Sequence, residues 1–229
     1  MANTKQPNEQ PKHLIINLKI TIMKSRLLIY LPILVLLGIT ILSCEEGEKE
    51  TKPDFSLKQS DQISDEMYDI YSLMINKKYS SEKIVIGQAT KTSIDLNYEN
   101  YFYDYLIENY QDFDTSLVQI HEDLNKNSVN FGEQFQSKTK KIILISSDEL
   151  SYIFDSQDLN ADWAEFYNDY KNSNGIIRFS RIAFNKDKTQ AIFEIGHSYA
   201  SLGGEGSIIY LKKQHNIWMI IEIIPTWIS

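Results

Sequence analysis

An α+β fold, with N-terminal helices packed on a C-terminal four-stranded antiparallel meander, is what the patterning of this chain predicts. Three features lead there. Between Asp61 and residue 171, two short β-branched runs apart, apolar side chains recur every three or four positions, the period of a helix with one buried face. From Gly175 onward the pattern becomes strand-like, in runs rich in Ile, Phe and Tyr. The turn signals between those runs are short, and connections that short join antiparallel neighbours.

In chain order, Asp61 to Lys78 places Ile63, Met67, Ile70, Tyr71, Met74 and Ile75 on one stripe, with Ser60 or Asp61 available to cap its start. "EKIVIGQATKT" then switches to a strand. Tyr98 to Asn109, "YENYFYDYLIEN", reads as a helix with its rings turned to the core, although so dense a group of rings also has the chemistry of a sugar-stacking platform. Thr115 to Asn127 is a further helix, with Leu117, Ile120, His121 and Leu124 on one side. "KKIILISS" is a short strand, and Ser147-Asp148-Glu149 opens a helix toward Phe154. Asn160 caps "ADWAEFYNDYK", where Trp163, Phe166, Tyr167 and Tyr170 are spaced for a buried stripe. The meander comprises "GIIRFSRIAF", "KTQAIFEIGHSYA", "EGSIIYLKK" and "IWMIIEIIPTWIS". Its turns fall at Asn185-Lys186-Asp187, Leu202-Gly203-Gly204 and Gln214-His215-Asn216. The helices are expected to cover one face of the sheet.

With 229 residues, 42% of them apolar, the chain has material for one core plus a targeting segment. Its charge is unevenly placed. Of 23 Lys or Arg and 31 Asp or Glu, residues 1–43 hold five and one, leaving 18 and 30 beyond them, a net −12. Such a field repels phosphate backbones, and no basic patch offsets it, so nucleic-acid binding is disfavoured.

The single cysteine, Cys44, stands where an apolar run meets an acidic one. Lys24 and Arg26 are followed by 16 largely apolar residues, Leu27 to Leu42. That order is the order of a secretory signal, and the run is shorter than the roughly 20 residues a membrane helix needs. Ile41-Leu42-Ser43-Cys44 resembles the bacterial lipobox. The resemblance implies diacylglyceryl transfer to the Cys44 sulfur, cleavage before Cys44, and acylation of the new amino terminus. Several acyl chains on one residue anchor firmly, whereas one chain binds marginally. Residues 1–22 are an unusual preface to a signal, so translation is expected to begin at Met23. The organisation that follows is a non-native upstream stretch over 1–22, a lipoprotein signal peptide over 23–43, an acidic tether over 44–60 and one α+β domain over 61–229. The acidic residues after Cys44 resemble export tags of surface lipoproteins, and equally suit a solvated spacer.

The C-terminal third carries a second resemblance. Ser180, Arg181, Phe184, Asn185, Ala191, Gly204, Gly206, Trp218 and Trp227 follow a pattern similar to a set of bacterial proteins, many of them lipoproteins, with no assigned activity. Those relatives carry Cys near the Gly-rich turn, where Ser201 and Gly203 stand here. The match spans about fifty residues and implies a shape alone. The mixture of helices and strands also permits a cone of the NTF2-like kind, a fold-level analogy that licenses no reaction.

Candidate chemistry is sparse. His197 and Glu194 lie three apart on one strand, so alternation sends them to opposite faces, with His197 beside Phe193, Ile195 and Tyr199. Arg181, Glu194, Glu205 and Glu222 fall on successive strands or their ends. Arg181 facing a carboxylate would fix the register as an ion pair or hold a ligand, and a one-residue slip would reverse the faces. "LGGEG" is followed by a strand and not a helix, so it is no phosphate loop; its glycines suit positive φ in a turn or bulge. His13, His121, His197 and His215 lie in separate elements, with no HExxH, paired Cys or calcium loop, so neither metal nor cofactor is expected.

The chain therefore reads as a lipid-anchored lipoprotein of the bacterial cell envelope, at the outer membrane or cell surface. Its domain would bind an unidentified protein or small ligand, or serve as an accessory module, with Arg181, His197 and Glu205 the candidate ligand-binding residues. Two other readings stay open, an enzyme with a pocket between sheet and helices and an immunity or inhibitor protein.

Overall fold

The computed structural model describes residues 52–92 and 96–229. The expected start at Met23, the signal peptide, the lipobox and residues 44–51 of the acidic tether lie outside the described residues. The folded unit runs from Asp54 to Ser229 and so takes in chain upstream of Asp61. Gln88 holds that segment by pairing its side-chain amide with the main chain of Lys58, accepting from Lys58 N at 2.9 Å and donating to Lys58 O at 2.7 Å. The Phe55 ring packs on Tyr152 at 5.2 Å.

Among the described residues the unit has five helices and seven strands, so the α+β class holds. Helix α1 spans Asp65–Lys78 and starts later than expected. Its cap is Ser64, whose hydroxyl accepts from Met67 N, while Asp61 instead accepts from Asn130 N at 2.7 Å. Asp65 and Glu66 at its start and Lys77 and Lys78 at its end complement the helix dipole. Then follow β1 (Lys83–Gly87), α2 (Leu96–Asn109), α3 (Ser116–Leu124), β2 (Lys141–Ile145), α4 (Ser147–Ile153) and α5 (Leu159–Asp169). The C-terminal strands are β3 (Ser173–Phe179), β4 (Ala183–Phe184), β5 (Gln190–Ala200), β6 (Gly203–Gln214) and β7 (Ile217–Ile228). None of the described helices is long and apolar enough to cross a membrane.

The sheet is not a four-stranded meander. It is seven-stranded and mixed, in the order β2-β1-β3-β5-β6-β7, with β4 pairing β5. β2, β1 and β3 are parallel, and the pairs from β3 to β7 are antiparallel. Each step from β1 to β2 and from β2 to β3 passes through two helices, the long crossover that parallel neighbours require. Turn signals report only adjacent hairpins, so they could not reveal this half of the sheet.

Helices cover both faces, correcting the one-sided expectation. On one face α1 buries Tyr68, Ile70, Tyr71, Met74 and Ile75 against Ile86, Phe179, Phe193, Ile209 and Leu211. On the other, α4 and α5 pack Ile153 and Phe166 on Val85, Ile145 and Ile176. On that same face, α2 and α3 pack Tyr103, Leu106 and Leu117 on Ile192, Ile208 and Tyr210. The alternation of β1 makes this possible, sending Ile84 and Ile86 to one core and Val85 to the other.

The run "GIIRFSRIAF" is two strands rather than one. Glu194 N, which would seek a main-chain acceptor, donates to the Ser180 hydroxyl at 2.7 Å. Asn125 clips the Arg181 main chain, accepting from its N at 2.7 Å and donating to its O at 3.3 Å. Ser180 N keeps one main-chain bond, to Glu194 O at 2.9 Å, and side chains take over the rest of the ladder between Phe179 and Ala183. The Gly-rich stretch also departs from expectation, because Gly203, Gly204 and Gly206 sit inside β6 and only Gly175, among the described glycines, has positive φ. Gly204 and Gly206 instead make room for Trp227. A Cβ on Gly204 would lie 2.9 Å from the indole, and one on Gly206 would strike its Nε1.

Candidate functional site

Two of the three residues singled out from sequence meet in space. Register pairs His197 on β5 with Glu205 on β6. A single extra residue in β3 puts Gly175 at φ +91° and turns the Asn174 carbonyl toward the imidazole, which donates to it through Nε2. Glu205 Oε1 accepts from Lys78 Nζ at 2.9 Å and lies 3.9 Å from His197 Nδ1. The Tyr79 ring meets His197 edge-on at 5.0 Å. Burial holds His197 below its ordinary range, so the ring is neutral at neutral pH. These groups line a cleft of ≈ 270 Å³ with Tyr199. Its acid is matched by Lys78 and its imidazole is committed to a carbonyl, so the arrangement ties the end of α1 to β5 and β6.

Arg181 is elsewhere. Its guanidinium donates to Leu124 O at 3.0 Å and braces the end of α3. Next to it runs a polar chain that sequence reasoning missed. Tyr103 Oη and His121 Nδ1 are 2.9 Å apart, and His121 Nε2 and Ser180 Oγ 3.1 Å. The Tyr71 hydroxyl donates to Ser180 O at 2.8 Å. On β5, Glu194 is bound by Lys91. The row of Ser, His and Tyr has the residue types of nucleophilic chemistry, yet Ser180 is 0% and His121 1% exposed, so substrate cannot reach it. Burial is the main cause that pushes His121 down to about 4, and the neutral ring fits a purely structural link. A histidine on the apolar stripe of α3 was the only sequence signal.

The third arrangement lies at the carboxyl ends of the parallel strands. A cleft of ≈ 540 Å³ is lined by Gly87 at the end of β1 and Thr90 to Thr92 after it, by Ser147, Leu150 and Ser151 on α4 and Phe154 at its C-cap, and by Arg178 on β3. Strand order places it where ligands bind in open α/β sheets. β2 lies on one side of β1 and β3 on the other, so the chain reverses direction across the sheet at the β1–β3 seam. Arg178 pairs with Gly196 on β5, and a Cβ on Gly87 would touch its Cγ at 3.4 Å. A glycine therefore flanks this arginine on either side. Among the described residues no Asp or Glu lines the cleft. The clue in the sequence was an arginine interrupting the apolar run "GIIRF", three residues before the arginine that drew attention.

Among the described residues no group of three or more His, Cys, Asp or Glu is placed to hold a metal ion. No family model matches the chain, and neither curated proteins nor solved structures provide a match.

Proposed function

We propose that this chain is a lipid-anchored protein of the bacterial cell envelope, held at the outer membrane or cell surface through Cys44, whose folded unit is a binding or accessory module. The observation that carries the binding half is the cleft at the β1–β3 seam, a preformed concavity of the size that takes small molecules. The sealed state of the Ser180–His121–Tyr103 row favours binding over catalysis. The anchoring half rests on the basic, apolar and small-residue order that ends at Cys44.

The anchor is tested by growing producing cells on radiolabelled palmitate and comparing the wild type with Cys44→Ala. Label on the wild type alone, together with a mature chain beginning at residue 44, is expected. Equal label on both, or an intact leader on the mature protein, would remove the anchor from this reading.

A further inference from the structure

We infer that the cleft at the β1–β3 seam takes a small organic oxyanion, a phosphoryl or carboxylate head on an apolar body, with Arg178 as its anchor. The inference rests on the reading of this cleft as the ligand site and adds the chemistry of what enters it.

Arg178 is exposed to solvent on a central strand, and it makes no hydrogen bond or ion pair with any described residue. A guanidinium so placed offers a planar fork of donors suited to two oxygens of one anion. Gly87 sets no side chain against the Arg178 stem, a Cβ there meeting its Cγ at 3.4 Å, and on the other flank Gly196 leaves the room that the Trp227 indole borders, 3.7 Å from where a Cβ would stand.

The other lining groups continue the same chemistry. The hydroxyls of Thr92, Ser147 and Ser151 have no hydrogen-bond partner among the described residues. Thr90 and Ser128, by contrast, are spent on bracing the loop, Ser128 Oγ donating to Thr90 O at 2.7 Å and Thr90 Oγ1 accepting from Val129 N at 2.9 Å. Lys91 is the second cation of the lining and is matched by Glu194 below it. On α4, Asp148 is turned to Lys58 at 3.2 Å and does not line the cleft. Among the described residues the cleft thus holds one unmatched positive charge and spare donors, in a chain whose net charge beyond residue 43 is −12. Leu150 and Phe154 give the apolar wall, which suits an organic body over a bare ion. A cationic ligand would meet Arg178 uncompensated, and a neutral one would leave its charge unused.

The full-length chain in detergent is titrated with sodium phosphate, sodium sulfate and sodium benzoate, chloride holding the ionic strength constant, and binding is followed by calorimetry. Saturable binding of at least one anion is expected. Arg178→Gln should weaken it by about ten- to a hundredfold, the effect of losing a hydrogen bond to a charged group. Ser151→Trp, which fills the cleft from an exposed position, should abolish it, and Lys138→Gln should leave it unchanged. Preference for phosphate or sulfate would assign a tetrahedral head, and preference for benzoate a carboxylate on an apolar body. The inference is overturned if no anion saturates, or if Arg178→Gln binds as tightly as wild type. Native mass spectrometry of the protein taken from its membrane separates the two levels of failure. A neutral or cationic ligand lost in Ser151→Trp defeats the oxyanion while sparing the cleft, and a ligand retained in Ser151→Trp defeats both.

Discussion

His121 lies on the apolar side of α3, where burial pushes its imidazole down to about 4 from an ordinary 6.5. The folded protein therefore keeps the ring neutral while the unfolded chain takes up a proton once the pH falls below about 6.5. Stability is present above that pH and is lost as the pH drops toward 4. Between pH 7 and pH 5 this one ring accounts for a loss of about 2 kcal/mol. Urea titrations at both pH values should show His121→Gln losing less stability than the wild type over that interval; equal losses would contradict the account. His197, also held low by burial, adds a change of the same sign that the variant leaves in place. Single residues also explain the C-terminal pattern without invoking chemistry. Asn185 accepts from Thr189 N at 2.9 Å and Gln190 N at 3.0 Å and shapes the turn into β5, Phe184 packs on Trp218 at 5.5 Å, and Gly204 and Gly206 seat Trp227.

Strand β3 shows what periodicity conveys about an element and what it omits. Its apolar run was legible, and so was its place before a series of hairpins. Its end was not, because Ser180 and Asn125 replace ladder hydrogen bonds with side-chain ones, and such substitutions leave no periodic trace. Nor was its bulge. Gly175 was read only as the start of a strand, whereas its φ of +91° lets the strand gain a residue and aim the Asn174 carbonyl at His197. Gly175→Ala places a Cβ in left-handed backbone and against the Ser198 carbonyl. A loss of about 1–3 kcal/mol is predicted from the urea midpoint. An unchanged midpoint would show that the bulge is not held as described.

Across the whole molecule, the α+β class and the antiparallel pairings followed from local signals, whereas the parallel half depends on contacts between segments far apart in sequence. β1 and β2 were recognised as strands, but their pairing follows from helical crossovers that lie on one face of the sheet while α1 covers the other. That is also why the Arg178 cleft escaped the sequence reading. His197 and Glu205 were chosen as polar residues on recognisable strands, and register does unite them, yet with Lys78 and Asn174 they close on themselves. Arg178 becomes a candidate only when β1 is known to lie beside β3, since the cleft is a property of topology. The central claim, that this seam is the binding site of the module, is tested most directly by native mass spectrometry of the full-length protein extracted from its own membrane. The account predicts a small-molecule adduct on the wild type and on Tyr199→Ala, at the His197 cleft, and none on Ser151→Trp. An adduct that persists in Ser151→Trp, or that disappears only in Tyr199→Ala, would contradict it.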